Sequence, residues 1–281
     1  MAKAEKSAGS AGKKKPEFGT GDDAPTLQGV ARALRLMQLL AEKPMRATVA
    51  AETLGVSWAT LHRTLTQLVD DEFIEKDATG TLRIGRRTWL LGSTYLVGHR
   101  LLDLAMPLIP QAVELSPKTV FQLVERSEGT AVVLYSHEAK SGEMITRTTY
   151  GHNFPLHTGS KGLVLLAFST PEFIDSYLQK ELIALTSNTI TDADLVRKEL
   201  EKIRLQGYAR TMGDVQPFTG SISAPIFDAN GEVIAAFCGI VGRAMLDEGP
   251  QEAALIDNVT RLAQSLSLGM GWTPMRTPRY S

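Results

Sequence analysis

The chain has 281 residues and a formal net charge of -1, and apolar residues make up 43% of it, which is enough for a sizeable core. No run approaches the ~18 consecutive apolar residues of a membrane helix, and the first residues contain no apolar signal-peptide core. We therefore expect a cytoplasmic protein with no membrane partner. The single cysteine, Cys238, excludes an internal disulfide and a thiolate metal cluster.

The charge is unevenly distributed along the chain. Residues 27–103 carry ten Lys and Arg against eight Asp and Glu, whereas residues 104–281 carry fifteen against nineteen. This slight basic excess permits contact with phosphate groups without requiring it. Residues 1–25 are rich in Lys, Gly, Ala and Ser and are predicted to be a disordered tail. Its lysines could contact DNA nonspecifically, but we favour the interpretation that the tail is solvated. Residues 272–281 are predicted to be a second tail.

Residues 26–85 contain signals for three helices. Apolar residues at spacings of three and four predict a first helix that ends near Lys43-Pro44; the stripe is Leu27, Val30, Leu34, Met37 and Ala41. A short second helix is predicted over 48–54, with Gly55 just beyond its end, where a left-handed residue is favoured. Ser57 is suited to cap a third helix over 58–72.

Residues 73–84 then predict a small hairpin, whose turn contains Asp77 and Gly80. A helix, a short helix, a glycine turn, a capped helix and a hairpin form the order of a winged helix-turn-helix. In such domains the start of the second helix of the pair faces base edges in the major groove of double-stranded DNA. The third predicted helix is therefore the candidate recognition helix.

The recognition helix has a buried stripe of Leu61, Leu65 and Leu68, and its opposite face is free for DNA. Arg63 is the strongest candidate because a guanidinium can read guanine or bind a phosphate. Trp58 has two interpretations, packing on the second helix, which we favour, or contact with a thymine methyl group. The predicted DNA contacts are Ser57, Trp58, Ala59, Thr60, His62, Arg63, Thr66, Lys76 and Arg83.

Residues 86–104 are predicted to be one linker helix that ends before Pro107 and Pro110. Its apolar residues cover most of the circumference, and such a helix must be buried. The simplest burial is against the same helix of a second copy, which predicts a dimer.

Residues 105–271 alternate between strand and helix patterns. They predict an α+β domain with about five or six antiparallel strands. Strands are predicted over 120–125, 131–136, 143–150, 222–227 and 232–241, and helices over 159–168, from Thr170, over 192–206 and over 252–268.

Six stretches resemble the IclR-type family of transcription regulators. Those in the front half are 27–34 (LQGVARAL), 60–69 (TLHRTLTQLV) and 82–85 (LRIG); those in the back half are 154–168 (FPLHTGSKGLVLLAF), 207–209 (GYA) and 222–228 (ISAPIFD). The resemblance covers about residues 26–270. It implies a GAF-like effector-binding domain, dimers or tetramers on a pseudo-palindromic operator, and small organic acids, many of them aromatic, as effectors.

The resemblance also implies a pocket. The effector's carboxylate falls on the backbone N–H groups of Ser160 and Lys161, and a helix N-terminus is a physically reasonable anion site. Ser221 occupies the position of a cysteine that contacts the effector in the family. Cys238 and Ile240 occupy the positions of two family serines, and Phe154 occupies that of a hydrophobic residue in the pocket wall. A family acid falls near Thr211, with Asp214 as the other assignment. Several pocket positions that are polar in the family are less polar in this sequence. We therefore favour an acid with an apolar body, such as a substituted benzoate, over glyoxylate or pyruvate.

The same residues allow other interpretations. The side chain of Lys161 either pairs with the carboxylate or lies in solvent. Ser160-Lys161 and Ser221-Ile222-Ser223 resemble a serine-dependent amide or ester hydrolase, but adjacent side chains usually diverge and no Gly-x-Ser-x-Gly elbow occurs, so we expect no catalysis. The histidines form no cluster, and we expect neither a metal nor a cofactor, with His157 structural. A DNA-binding module without an effector is disfavoured by the large second domain.

Overall fold

The computed structural model describes residues 25–138, 153–246 and 249–273. The chain forms two compact units, which divide between Val97 and Gly98. The first unit is a winged helix-turn-helix and the second is a mixed domain built on an antiparallel sheet, which confirms the predicted α+β class. Predictions for residues 1–24 and 274–281, and for a strand over 143–150, lie outside the described residues.

The first unit consists of three helices, a small sheet and a fourth helix. The three antiparallel strands are ordered β1-β3-β2. The elements are α1 (Pro25–Glu42), β1 (Met45–Arg46), α2 (Ala47–Leu54), α3 (Trp58–Asp70), β2 (Ile74–Lys76), β3 (Thr81–Ile84) and α4 (Arg86–Leu96). Strand β1 pairs with β3 in addition to the predicted hairpin. The core includes Leu36, Leu40, Leu61, Leu65, Ile74 and Leu82.

Two local signals that organise the helix pair are confirmed. Gly55 follows α2 in the left-handed conformation, with φ 64°, and its N–H bonds to the end of that helix. Ser57 caps α3, because its hydroxyl accepts a hydrogen bond from the Thr60 N–H at 3.3 Å. Both act through backbone geometry over a few residues, which explains why the sequence alone reveals them.

The apolar spacing that predicts α1 does not mark the face of the helix that is buried. Leu36 and Leu40 are buried, whereas Val30 and Leu34 are each 57% exposed. The helix carries apolar residues on more than one face, and helical spacing alone does not decide which face meets the core. Packing against β3, α2 and α3 selects the Leu36 face.

The single linker helix over 86–104 is wrong. Helix α4 ends at Leu96, and α5 (Arg100–Ala105) begins after Gly98, whose φ of 73° interrupts the helix. Against the described part of this chain, α4 has no buried residue. Its exposed apolar side chains, with the adjoining Val97, are Trp89, Leu90, Leu91, Tyr95, Leu96 and Val97. The apolar pattern therefore does not mark burial inside the protomer.

Within the described residues, the second unit is built on a six-stranded antiparallel sheet, ordered β6-β5-β4-β9-β8-β7. Its strands are β4 (Val120–Ser127), β5 (Thr130–His137), β6 (Asn153–Pro155), β7 (Ala209–Met212), β8 (Thr219–Phe227) and β9 (Val233–Gly242). The sequence does not predict β6 and β7, because each is too short to show an alternating pattern. The predicted hairpin is confirmed as β8 and β9.

Helices cover both faces of this sheet. They are α5, α6 (Ile109–Leu115), α7 (Gly159–Ala167), α8 (Pro171–Leu178), α9 (Ala193–Gln206) and α10 (Gly249–Gly269). One core cluster joins α5, α6 and α10 to side chains such as Phe121 and Phe237, and the other joins α7, α8 and α9 to Val124 and Ala236. Among the described helices, none is both long and apolar enough to cross a membrane.

Candidate DNA-binding helix and ligand pocket

The outer face of α3 is a continuous exposed surface. Leu61 and Leu65 bury the inner face, so the residues one half-turn away are held outward. Six outer residues line a shallow depression: Trp58, Ala59, His62, Arg63, Thr66 and Gln67. Arg63 is exposed, and its guanidinium makes no hydrogen bond or ion pair within the described residues. The structure thus presents a cation at the centre of the predicted contact face.

The favoured interpretation of Trp58 as a packed side chain is wrong. Its side chain is 50% exposed, and its ring lies 5.6 Å from that of His62 in a tilted arrangement. Trp58 is the first residue of α3, where the chain has just left the Ser57 cap, and this places the ring on the outer surface. The hydroxyls of Ser57 and Thr60 lie 2.9 Å apart at the same end of the helix.

The turn of the wing is organised by Asp77. Its Oδ1 accepts hydrogen bonds from the Thr79 hydroxyl at 2.6 Å and from the Thr81 N–H at 2.9 Å. These bonds, led by that from the Thr79 hydroxyl, lower the pKa of Asp77 to about 2. Arg83 forms an ion pair with the other oxygen of this carboxylate at 3.1 Å, whereas Lys76 is exposed. Arg83 therefore reaches DNA only with its remaining N–H donors or by leaving Asp77.

A pocket lies in the second unit between the start of α7 and the strands β8 and β9. Five of the seven predicted effector residues line it: Phe154, Lys161, Ser221, Cys238 and Ile240. Ser160 and Thr211 do not line it but support it, since Thr211 and Ser160 both bond to Ser221. Asp214 lines the pocket as well, which favours it over Thr211 as the acidic residue of the site.

The pocket is small. Its volume is about 40 Å³, which accommodates a few water molecules, whereas a cavity that binds benzene measures roughly 150 Å³. A benzoate therefore requires the pocket to widen. The loop side of the pocket, formed by Asp214, Val215 and Gln216, is the part not held in a helix or strand.

The N-terminus of α7 is already occupied by groups of the chain itself. The Gly159 N–H donates to Asp214 Oδ2 at 2.6 Å, and the Ser160 N–H donates to Thr211 Oγ1 at 3.1 Å. The Ser160 N–H is therefore bonded within the chain, and its expected contact with an effector's carboxylate stays a prediction. An incoming carboxylate at that position must displace Thr211.

Lys161 is buried, with 5% of its surface exposed, and the interpretation that it lies in solvent is wrong. Its ammonium donates to Gln122 Oε1 at 3.0 Å and lies 3.8 Å from the centre of the Phe154 ring. Burial lowers the pKa of Lys161, while Cys238 and Asp214 act in the opposite direction. Among the described residues, no carboxylate oxygen forms a salt bridge with this ammonium.

Ser160 and Lys161 point to different partners. The Ser160 hydroxyl donates to Ser221 Oγ at 2.7 Å and lies 2.7 Å from Ser223 Oγ, whereas the Lys161 ammonium contacts Gln122. Cys238 Sγ lies 3.9 Å from the Ser160 hydroxyl, and burial raises the pKa of that thiol. The arrangement within the described residues gives Ser160 no hydrogen bond to a lysine or histidine base.

His157 anchors the segment before α7. It is buried, and its Nδ1 lies 2.8 Å from the Tyr177 hydroxyl while its Nε2 lies 3.0 Å from the Ile183 carbonyl. Burial lowers its pKa, which favours the neutral ring. A neutral ring that donates from Nε2 and accepts at Nδ1 satisfies both contacts, which fits the expected structural role.

Two buried polar residues that support the pocket were not assigned to it from the sequence: Gln122, and Ser223, which was named only in the hydrolase interpretation. Both are fully buried and polar. Ser223 lies two positions after Ser221, on the same strand face, and Gln122 is the one polar residue among Val120, Phe121, Leu123 and Val124. Strand alternation is a signal for Ser223, and the polar interruption of an apolar strand is a signal for Gln122.

Comparisons with known proteins agree with both units. The family described as "IclR helix-turn-helix domain" matches residues 29–78, and that described as "Bacterial transcriptional regulator IclR C-terminal" matches residues 93–268. The DNA-binding transcriptional repressor YiaJ of Escherichia coli is 27% identical, over 93% of this chain and 95% of its own. The regulator BhcR of Paracoccus denitrificans is 28% identical, over 89% of each chain.

Solved structures show the same fold. An IclR transcriptional regulator from Alicyclobacillus acidocaldarius has a TM-score of 0.77 at 22% identity, covering 87% of this chain and 99% of its own. An IclR homologue from Microbacterium hydrocarbonoxydans, complexed with 4-hydroxybenzoate, has a TM-score of 0.72 at 23% identity, covering 86% and 98%.

A winged helix-turn-helix joined to a separate pocket-bearing domain defines a DNA-binding transcriptional regulator. The matches to both halves of the chain make the assignment specific. This protein belongs to the IclR family of bacterial transcriptional regulators.

Proposed function

We propose that this protein is a cytoplasmic, ligand-responsive regulator that binds a pseudo-palindromic operator through paired copies of α3. The observation that carries the proposal is the outward cation Arg63 at the centre of the exposed face of α3. Recognition helices place their N-terminal side chains against base edges in the major groove. Mobility shift on the promoter region next to the protein's own gene tests it, and the absence of sequence-specific binding there would contradict it.

The proposed contacts divide by chemistry. Arg63 and His62 are the candidates for base edges or phosphates, and Ser57 and Thr60 can donate to phosphates where α3 presents its first N–H groups. Ala59 and Trp58 offer apolar contact with thymine methyl groups, and Thr66 extends the same face. In the wing, Lys76 is the freer cation, since Arg83 is paired with Asp77. We therefore expect Lys76→Ala to weaken binding more than Arg83→Ala.

We further propose that α4 forms the contact between two copies. Its apolar side chains are exposed within this chain, including Trp89 at 70%. A large apolar patch on a soluble protein typically marks an interaction surface. A homodimer places two α3 helices on one operator. A tetramer is the alternative assembly. Light scattering on Trp89→Ser and Leu91→Ser tests this, and an unchanged oligomeric state would contradict it.

For the effector, we propose a small organic acid, with a substituted benzoate favoured, so that the regulator controls the catabolism of such an acid. The IclR homologue complexed with 4-hydroxybenzoate supports this chemistry, because its fold matches over 86% of this chain. Phe154 and Ile240 supply apolar walls and Lys161 supplies a cation. Since the pocket measures about 40 Å³, binding of an aromatic acid is expected to be accompanied by displacement of the Asp214 loop.

Thermal unfolding in the presence of carboxylic acids tests the effector proposal. A ligand that binds the folded state raises the melting temperature by mass action. Benzoate, 4-hydroxybenzoate and pyruvate should be compared at equal ionic strength. We expect an aromatic acid to give the larger shift and to change the affinity for the operator; the absence of any shift with all three would contradict an acid effector.

A further inference from the structure

The charge balance around Lys161 is incomplete. The residue is only 5% exposed, and the direct partners of its ammonium are an amide oxygen and an aromatic ring. A buried charge is stable only when it is well paired or well hydrogen-bonded. Gln122 Oε1 and the Phe154 ring both attract a cation but neither neutralises it, so the ammonium retains its attraction for an anion at the pocket surface.

Two donors of the alternative anion site in the same pocket are already in use. The first two N–H groups of α7 are bonded to Asp214 and Thr211. An anion that approached the helix N-terminus would compete with Asp214, whose carboxylate is already there and carries the same sign of charge. Within the described residues, the pocket therefore presents one cation without a bonded counter-charge, Lys161, and one anion that is already bonded, Asp214.

We propose that the effector's carboxylate binds the Lys161 ammonium rather than the N-terminal N–H groups of α7, and that Gln122 determines this specificity by leaving the ammonium without a negative partner. This inference rests on the proposed function and deepens it. A glutamate at position 122 has nearly the same shape and would supply an internal carboxylate in place of the ligand's.

The same geometry selects for the charge of the ligand. Asp214 lines the pocket together with Lys161, so a second carboxylate on the ligand would face a group of like charge. The ligand class is therefore a monocarboxylate, and benzoate should bind better than phthalate, which differs by one added carboxylate. Benzamide, a neutral analogue of benzoate, should bind worse than benzoate.

The experiment measures carboxylate binding by calorimetry in the full-length protein and in Gln122→Glu. The probes are acetate, benzoate and 4-hydroxybenzoate, so that both the present and a widened pocket are sampled. The control is Gln111→Glu, which makes the same chemical change at an exposed position on α6. In Gln122→Glu the Lys161 ammonium would pair with the new carboxylate and lose its charge-assisted hydrogen bond to the ligand. We therefore expect Gln122→Glu to weaken binding about tenfold or more, and Gln111→Glu to leave it unchanged.

Lys161→Met provides the second variant, because it removes the charge and keeps the length of the buried side chain. Cooperative melting of each variant checks that it is folded. If the wild type binds an acid and either folded variant binds it equally well, the inference is overturned while the proposed function stands. If the wild type binds none of the probes, the acid effector and the inference both fail, while the operator-binding assay still decides the DNA-binding function.

Discussion

Replacing Arg63 by alanine tests the DNA-binding surface with little disturbance to the fold. The side chain is exposed on α3 and makes no hydrogen bond or ion pair within the described residues, so the free energy of unfolding should change by less than about 0.5 kcal/mol. Removal of a base or phosphate contact weakens specific binding by about 1–3 kcal/mol for each half-site. A two-fold symmetric dimer carries the substitution in both half-sites, which gives about 2–6 kcal/mol in total.

Fluorescence anisotropy on a labelled operator at several salt concentrations measures this effect. If Arg63 binds a phosphate, the slope of log affinity against log salt should fall by about 0.9 for each phosphate that the variant no longer neutralises. If it reads guanine, the slope should remain and discrimination between sequences should fall. Lys198→Ala, an exposed change of equal charge in α9, is the control. Operator affinity equal to that of the wild type at every salt concentration would refute a role for Arg63.

Three further predictions concern the stability of the fold. His157 prefers the neutral form because burial lowers its pKa from 6.5. Its contribution to the free energy of unfolding is therefore complete above about pH 6.5 and is lost as the pH falls through the folded pKa. Urea unfolding of His157→Gln should show a smaller dependence of that free energy on pH, and a dependence equal to the wild type's would contradict this. Gly85→Ala should destabilise the first unit by about 1–3 kcal/mol through overcrowding, since an added Cβ would overlap the Glu72 carbonyl oxygen; an unchanged melting temperature would show that the backbone yields freely. Leu61→Ala should cost about 2–5 kcal/mol, because Leu61 is fully buried, and calorimetry showing a destabilisation below about 1 kcal/mol would contradict its place in the core.

The helix-turn-helix was predictable because its signals are local. The turn at Gly55 and the cap at Ser57 depend on backbone conformations within a few residues, and both are present as predicted. The outward direction of Arg63 follows from helical periodicity and the Leu61 stripe alone. Trp58 was not predictable in the same way, because a large side chain at a helix start can turn to either surface, and only the packing of α2 and α3 decides which.

The pocket was predictable in outline. The resemblance placed Phe154, Ser221 and Cys238 around one pocket, and the structure brings them together there, since the order of strands and helices carries these positions with it. The resemblance did not reveal that the Asp214 carboxylate accepts a hydrogen bond from the Gly159 N–H, because the two residues are 55 positions apart in the sequence. Nor did it reveal Gln122, which lies on a strand that pairs with β9 and meets α7 only across the folded domain.

The sequence by itself determined the class of fold, the position of α3 and the residues on its outer face, because periodicity and capping act over one or two helical turns. Tertiary structure alone decided which face of α1 is buried, where the linker breaks at Gly98, and which groups surround Lys161. The physical reason is the range of the interactions. A helix cap is completed by neighbours along the chain, whereas the environment of a buried charge is set by residues that only the folded chain brings together.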